Sequence, residues 1–312
     1  AMAYGLTNRK LKPDEVLNII VYDYGGGTLD VSVVEISTNK DGENIFTVLG
    51  SAGNTHLGGA DFDNRLCSFS ISRFKKQHNF NKLDDLPAVS LQKLKQSCET
   101  AKKILSTKNK AYIAVKDFYN NIDMFFYITR QEFEVICGDL LLLSLKPIQD
   151  VLDICELEIN KIDEIILVGG MTRMPMIIDK LKQRFKITPN NSLNPDEAIS
   201  AGAAIQGYIL THKNNPFSES VTLLDVTPLS LGVETCGGNS ARIHRELAGG
   251  IMDILIPRNT VIPYTVDKVY TTDTDYATTI DIKIYEGERQ MTNDNIFIGE
   301  FELRNIIEAP RG

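Results

Sequence analysis

The sequence has no run of apolar residues near the roughly 18 needed to cross a bilayer, and its opening segment, Ala1 to Leu6, lacks the charged and apolar regions of a signal peptide. A cytoplasmic protein with no membrane partner is expected. It also lacks any Lys/Arg cluster long enough to follow a phosphate backbone. The balance is acidic, with 33 basic against 41 acidic residues and a net charge of −8, so nucleic acid is not an expected partner. Cysteine is scarce. Cys67, Cys98, Cys137, Cys155 and Cys236 form no CxxC pattern and no His pairing. Their odd count argues against a disulfide framework, and they read as reduced packing residues. His56, His78, His212 and His244 have no ligand spacing, and no repeat or low-complexity tract occurs.

What is present is a chain of 312 residues, 43% of them hydrophobic, enough for a sizeable core and more than one domain. Between two strand-like runs, Val16 to Tyr22 and Leu29 to Ile36, lies Asp23-Tyr24-Gly25-Gly26-Gly27-Thr28-Leu29-Asp30. Glycines free to take positive φ can aim backbone N–H groups into one concavity that holds phosphate oxygens. Thr28 adds a hydroxyl donor, and Asp23 and Asp30 suit a hydrated Mg²⁺, which keeps most of its waters. Alone, such a turn reads first as a hairpin. A second glycine turn, Gly169-Gly170-Met171-Thr172-Arg173, follows the apolar run Ile165 to Val168 and precedes a helical pattern over 174–185. That order brings backbone close to a ligand at the positive end of a helix. Either turn alone has a bland explanation; together they point to a nucleotide.

The chain divides by texture near residue 213. Before it, strands and helices mix. Phe46 to Gly53 reads as a third strand, and 61–78 as a helix with Phe62, Leu66, Phe69 and Phe74 on one side. Leu91, Leu94, Cys98, Ala101 and Leu105 mark a second long helix, and 111–115 with 124–128 a strand pair. Thr129 with Glu132 forms a capping box, and Pro147 restarts the helical pattern that follows. Asn194-Pro195-Asp196-Glu197 reads as an N-cap opening a helix to about Leu210. Residues 212–220 read as a linker, followed by the short apolar run Val221 to Val226. Beyond it, 261–270 and 278–285 alternate with period two, so 227–312 is expected to be antiparallel β-structure.

These segments resemble the seventy-kilodalton heat-shock chaperone family. The similarity runs through Ala3-Tyr4-Gly5-Leu6, the Asp23 to Asp30 loop, Ala52 to Asn64, Leu167 to Arg173, Asn194 to Ala203, Leu224 to Glu234 and Tyr285-Glu286-Gly287-Glu288-Arg289, in the family's order. The resemblance implies an incomplete α/β actin-like ATPase lobe followed by a truncated all-β sandwich. Residues 1–212 would be a partial nucleotide-binding domain: a core lobe from 11–59 and 133–193, an inserted subdomain at 60–132, and remnants of a first lobe at 1–10 and 194–212. Residues 213–226 would be the linker and 227–312 the start of the peptide-binding sandwich. The expected activity is ATP-dependent chaperoning in protein folding and stress response. The alternative is a non-catalytic binding or docking module of the same descent, since the first lobe's catalytic groups have no counterpart here. A sugar or acetate kinase of the same superfamily is disfavoured by the linker and the β-rich tail.

The resemblance also implies site residues. Gly25, Gly26, Gly27 and Thr28 would hold the phosphates of ATP or ADP, and Asp23 and Asp30 would hold Mg²⁺ through water. Glu99, Lys102, Lys103 and Ser106 would embrace the adenosine, with Gly169, Gly170, Arg173 and Asp196 on its other side, and Gly59 would also belong to the cofactor-binding set. Spacing alone makes the helix positions among these a solvated face. Met171 and Lys103 replace a serine and an arginine usual in the family, which puts adenine selectivity in question. In the sandwich, Val233, Cys236, Tyr270, Ile280 and Ile282 would line the cleft for an extended polypeptide, although ordinary core positions look the same. Asp273 and an insertion at 239–248 are expected to weaken that cleft. J-domain co-chaperones and nucleotide-exchange factors are implied partners.

Overall fold

The computed structural model describes residues 1–8, 15–83, 86–235, 250–272 and 274–311. They form two compact units, Ala1–Leu223 and Leu224–Gly312.

The first unit mixes helices and strands. After α1 (Met2–Asn8), β1 (Val16–Tyr24), β2 (Leu29–Thr38) and β3 (Asn44–Asn54) form an antiparallel meander. α2 (Gly59–Gln77), α3 (Ala88–Thr107) and the hairpin β4 (Lys110–Tyr119) and β5 (Ile122–Thr129) follow. Three short helices, α4 (Arg130–Ile136), α5 (Gly138–Leu143) and α6 (Lys146–Ile154), lead to β6 (Glu164–Val168), which pairs parallel with β1. α7 (Pro175–Phe185), α8 (Ala198–Thr211) and α9 (Pro216–Glu219) complete it, and β7 (Val221–Val226) crosses the boundary between the units.

Strand β1 is apolar on both faces because both faces are covered. Ile20, Tyr22 and Tyr24 enter one core with α2, α3 and α7 residues such as Phe62, Leu66, Ala101 and Leu181. Leu17 and Ile19 enter a second core with Met2, Tyr4, Phe46 and Val221. Tyr4 Oη donates to Glu164 Oε2 at 2.6 Å, tying α1 to β6.

Several expectations are corrected. Leu91 on α3 is exposed, and the buried stripe runs instead through Ser90, Leu94, Cys98, Ala101 and Leu105. The α8 helix starts at Ala198 with Glu197 as its N-cap. Asn194 instead closes the preceding turn, its carbonyl accepting from Glu197 and Ala198. The supposed linker over 212–220 contains α9, capped by the Asn215 side chain. The Thr129–Glu132 capping box is present, with Glu132 Oε2 accepting from Thr129 N at 2.8 Å.

The second unit is antiparallel. β8 (Leu231–Thr235), β9 (Ile251–Ile256), β11 (Thr279–Glu286) and β12 (Ile296–Arg304) form a sheet in the order β12-β11-β8-β9, while β10 (Val261–Ile262) pairs with β7. The strand expected over 261–270 stops after Ile262, because Pro263 offers no N–H to continue the ladder.

Candidate functional site

Parallel β1 and β6 end in register, Asp23 beside Val168, and so deliver the two glycine turns side by side. Contact between them requires glycine. Gly169 has φ +83°, and a Cβ there would collide with the Tyr24 carbonyl oxygen and stand 2.9 Å from Asp23 Oδ1. The turn takes 3₁₀ form over Gly170–Arg173, and the expected helix follows it as α7, with Met174 as its N-cap. That turn is braced by Arg173, whose guanidinium donates to Asp196 Oδ2 at 2.7 Å and to Asn194 Oδ1 at 2.9 Å. Gly169 N–H donates to the Pro195 carbonyl at 3.0 Å. Gly169, Gly170, Arg173 and Asp196 are therefore one connected wall.

The first turn is fixed differently from the sequence expectation. Among the described residues the left-handed glycines are Gly42, Gly169 and Gly287, so Gly25, Gly26 and Gly27 are not among them. The close approach is at Gly58, where a Cβ would overlap the Gly26 carbonyl. Gly59 and Ala60, the first residues of α2, donate to the carbonyls of Gly25 and Gly26 at 3.0 and 2.9 Å. Asp61 accepts from Gly58 N–H at 2.8 Å, and the Tyr24 ring stands edge-on to Phe62, 6.2 Å between centroids. Gly58 and Asp61 escaped the sequence reading, although an acid three residues after an N-cap is a recognisable signal. Gly26 and Gly27 are exposed, with open space where a side chain would be.

Asp23 and Asp30 face each other across the β1–β2 ladder. Like charges in that position repel. Burial first, and the Asp30 charge second, raise the Asp23 carboxyl above its ordinary range. Thr28 Oγ1 donates to Asp30 Oδ2 at 3.1 Å. No group of three or more His, Cys, Asp or Glu among the described residues could hold a metal ion directly. Two facing carboxylates with a hydroxyl fit a cation that keeps its water shell.

Helix α3 supplies the remaining positions. Lys102 points inward, donating from Nζ to Asp63 Oδ2 at 2.7 Å and to the Gly59 carbonyl at 2.9 Å, in a pair that is nearly fully buried. Burial pushes the Asp63 carboxyl up, with Lys102 opposing. The Met171 sulfur packs at the same point, 2.9 Å from where a Gly59 Cβ would be. Glu99 and Lys103 pair on the outer face at 2.7 Å. Ser106 lies along a narrow cleft with Arg130, Phe133, Glu134 and Met174. Thus α2, α3 and the Gly170–Arg173 turn meet at one place, through Asp63 and Met171, which spacing alone did not single out.

The Hsp70 protein family matches residues 1–312. Over its whole length the chain is 45% identical to the heat shock protein 70 homolog of Acanthamoeba polyphaga mimivirus, of which it covers 32%. It is 40% identical to heat shock cognate 70 kDa protein 3 of Dictyostelium discoideum, covering 46%, and 42% identical to the chaperone protein DnaK of Thermotoga maritima, covering 49%. The chain belongs to the Hsp70 family. It spans a third to a half of the length of these relatives.

In the second unit of this Hsp70-family chain, alternation along β11 puts Ile280 and Ile282 on one face with Ile284, whose cross-strand partner is Val233. Val233 is in turn opposite Asp253, which accepts from Tyr270 Oη and from Lys268 Nζ, each at 2.7 Å. Four of the five expected cleft residues are therefore grouped around one sheet face. The fifth, Cys236, lies outside the described residues, as do Asp273 and the insertion over 239–248.

Proposed function

We propose that this chain is the nucleotide- and polypeptide-binding portion of an ATP-dependent chaperone of the Hsp70 family. The observation that carries this reading is the meeting of the Asp23–Asp30 loop, the Gly169–Arg173 turn and α3 around one exposed glycine loop. In this reading Gly25, Gly26, Gly27 and Thr28 contact the phosphates of ATP or ADP, and Asp23 and Asp30 hold a hydrated Mg²⁺. Glu99, Lys103, Ser106, Gly170, Arg173 and Asp196 flank the nucleoside. Gly59 and Lys102 shape the floor rather than touch the ligand, because Lys102 is spent on Asp63 and Gly59. A bound Mg²⁺ would neutralise the Asp23–Asp30 pair and the phosphates together.

Residues 1–212 are assigned to the actin-like nucleotide-binding domain, 213–226 to the interdomain connection and 227–312 to the peptide-binding β-sandwich. The apolar face carrying Val233, Ile280 and Ile282 would take extended polypeptide. J-domain proteins and nucleotide-exchange factors are proposed as partners, and the cytoplasm as the location. No described helix is long and apolar enough to cross a membrane.

Calorimetric titration with ADP, with and without Mg²⁺, tests the nucleotide reading. We expect saturable binding that weakens about tenfold, or 1.4 kcal/mol, on Asp30→Asn in Mg²⁺ and hardly at all in EDTA. No saturable binding by folded protein would favour the docking-module alternative. Equal binding with and without Mg²⁺ would remove the metal role from Asp23 and Asp30.

A further inference from the structure

We propose that Cys67 and Cys98 are an oxidation site: a dithiol that peroxides convert into a disulfide joining α2 to α3. Helix register brings the two together. Asp63 meets Lys102 at 2.7 Å, while Ser70 Oγ, further along α2, is 3.8 Å from Cys98 Sγ, further back along α3. The helices are therefore antiparallel. Cys67 is four residues beyond Asp63, and Cys98 four residues before Lys102, so each lies one turn from the ion pair on the facing sides. That register sets the Cys67 and Cys98 side chains opposite each other across the α2–α3 seam.

The two sulfurs differ in the ways a peroxide-reactive pair requires. Cys67 is partly exposed and within reach of a small oxidant; Cys98 is sealed in the core. The neighbouring Cys98 thiol holds the Cys67 thiol below its ordinary value, while the Cys67 neighbour together with burial raises that of Cys98. Reaction follows the thiolate, so Cys67 is the nucleophile and Cys98 the resolving thiol. The other described cysteines contrast with Cys67: burial pushes Cys137 up to about 12 and Cys155 up to about 11.

The chemistry balances with hydrogen peroxide as the oxidant. The Cys67 thiolate attacks one peroxide oxygen, the O–O bond breaks, and hydroxide leaves as water after taking a proton, giving a sulfenic acid. The Cys98 sulfur then attacks the Cys67 sulfur, its proton goes to the departing hydroxyl, and a second water leaves. Two thiols and one peroxide become one disulfide and two waters, with two electrons passing from sulfur to oxygen. A dithiol reductant reverses the bond. Nothing in this chemistry requires a nucleotide.

The test is peroxide treatment of the full chain, alkylation of the remaining thiols, non-reducing digestion and mass spectrometry. We expect the dominant product to be a Cys67–Cys98 linked peptide, two hydrogens lighter than the sum of its parts and lost with dithiothreitol. Cys67→Ser should leave Cys98 reduced. Cys98→Ser should leave Cys67 as sulfenic or sulfinic acid while the circular dichroism spectrum stays native. Recovery of both thiols alkylated, over-oxidation of Cys67 in the unmutated chain, or linkage of either to Cys137, Cys155 or Cys236 would overturn the assignment.

Discussion

The two units use alternating apolar residues in opposite ways. In β1, Ile19 and Ile20 are neighbours on opposite faces and both are 0% exposed, because helices cover one side and α1 with Phe46 the other. In β12, Phe297, Phe301 and Leu303 remain about half exposed at 52%, 53% and 50%. Period-two patterning says that a strand has an apolar face; it does not say that the face is covered. The first unit therefore owes its stability to its own packing. The second leaves an apolar strand face open to solvent.

The largest test of that contrast is a pair of truncations. Phe62→Ala, in the core of the first unit, should cost about 4 kcal/mol, whereas Phe301→Ala should cost under about 1 kcal/mol, both measured by denaturant unfolding followed by circular dichroism. Equal losses would erase the distinction. Next comes Lys102→Ala, which strands the Asp63 carboxylate in the interior and should cost about 3 kcal/mol near neutral pH. That loss should shrink in acid, because a protonated Asp63 no longer buries a charge; a pH-independent loss would mean that packing, not the ion pair, was removed.

Gly169→Ala sharpens the comparison within the first unit. Positive φ and the Tyr24 carbonyl both oppose a side chain there, so a loss of about 2 kcal/mol is expected, with faster hydrogen exchange in Tyr24 to Gly27. The smallest effect is at Glu132. Backbone and side-chain hydrogen bonds from Thr129 hold its carboxyl below the ordinary range. Because the folded value is depressed, its contribution is present above the ordinary carboxylate pKa and is lost as pH falls through the folded one. The melting-temperature gap between the unmutated chain and Glu132→Gln should therefore be present at neutral pH and close in acid.

Much of the first unit was legible because its signals are local: strand alternation, the apolar stripe of α2 and the Thr129–Glu132 box. The site was legible as two glycine turns. What escaped were relations between distant segments. That Gly58, rather than Gly25 to Gly27, is the crowded glycine depends on where α2 sits against the loop. That Lys102 turns inward depends on Asp63, and that Cys67 meets Cys98 depends on the antiparallel register of α2 and α3. In the second unit, alternation beyond Val261 overstated the strand because it did not weigh the missing donor of Pro263.

The stitching of α2 to the glycine loop has a consequence for how a ligand could be held and let go. The amides of Gly59 and Ala60 are committed to loop carbonyls, and Asp61 places a negative charge at the same helix end. The positive end of α2 is thus already neutralised from within. Any anion gripped here must be gripped by the loop's own short backbone, and a grip that small can open by turning a few peptide planes while the helix behind it stays wound.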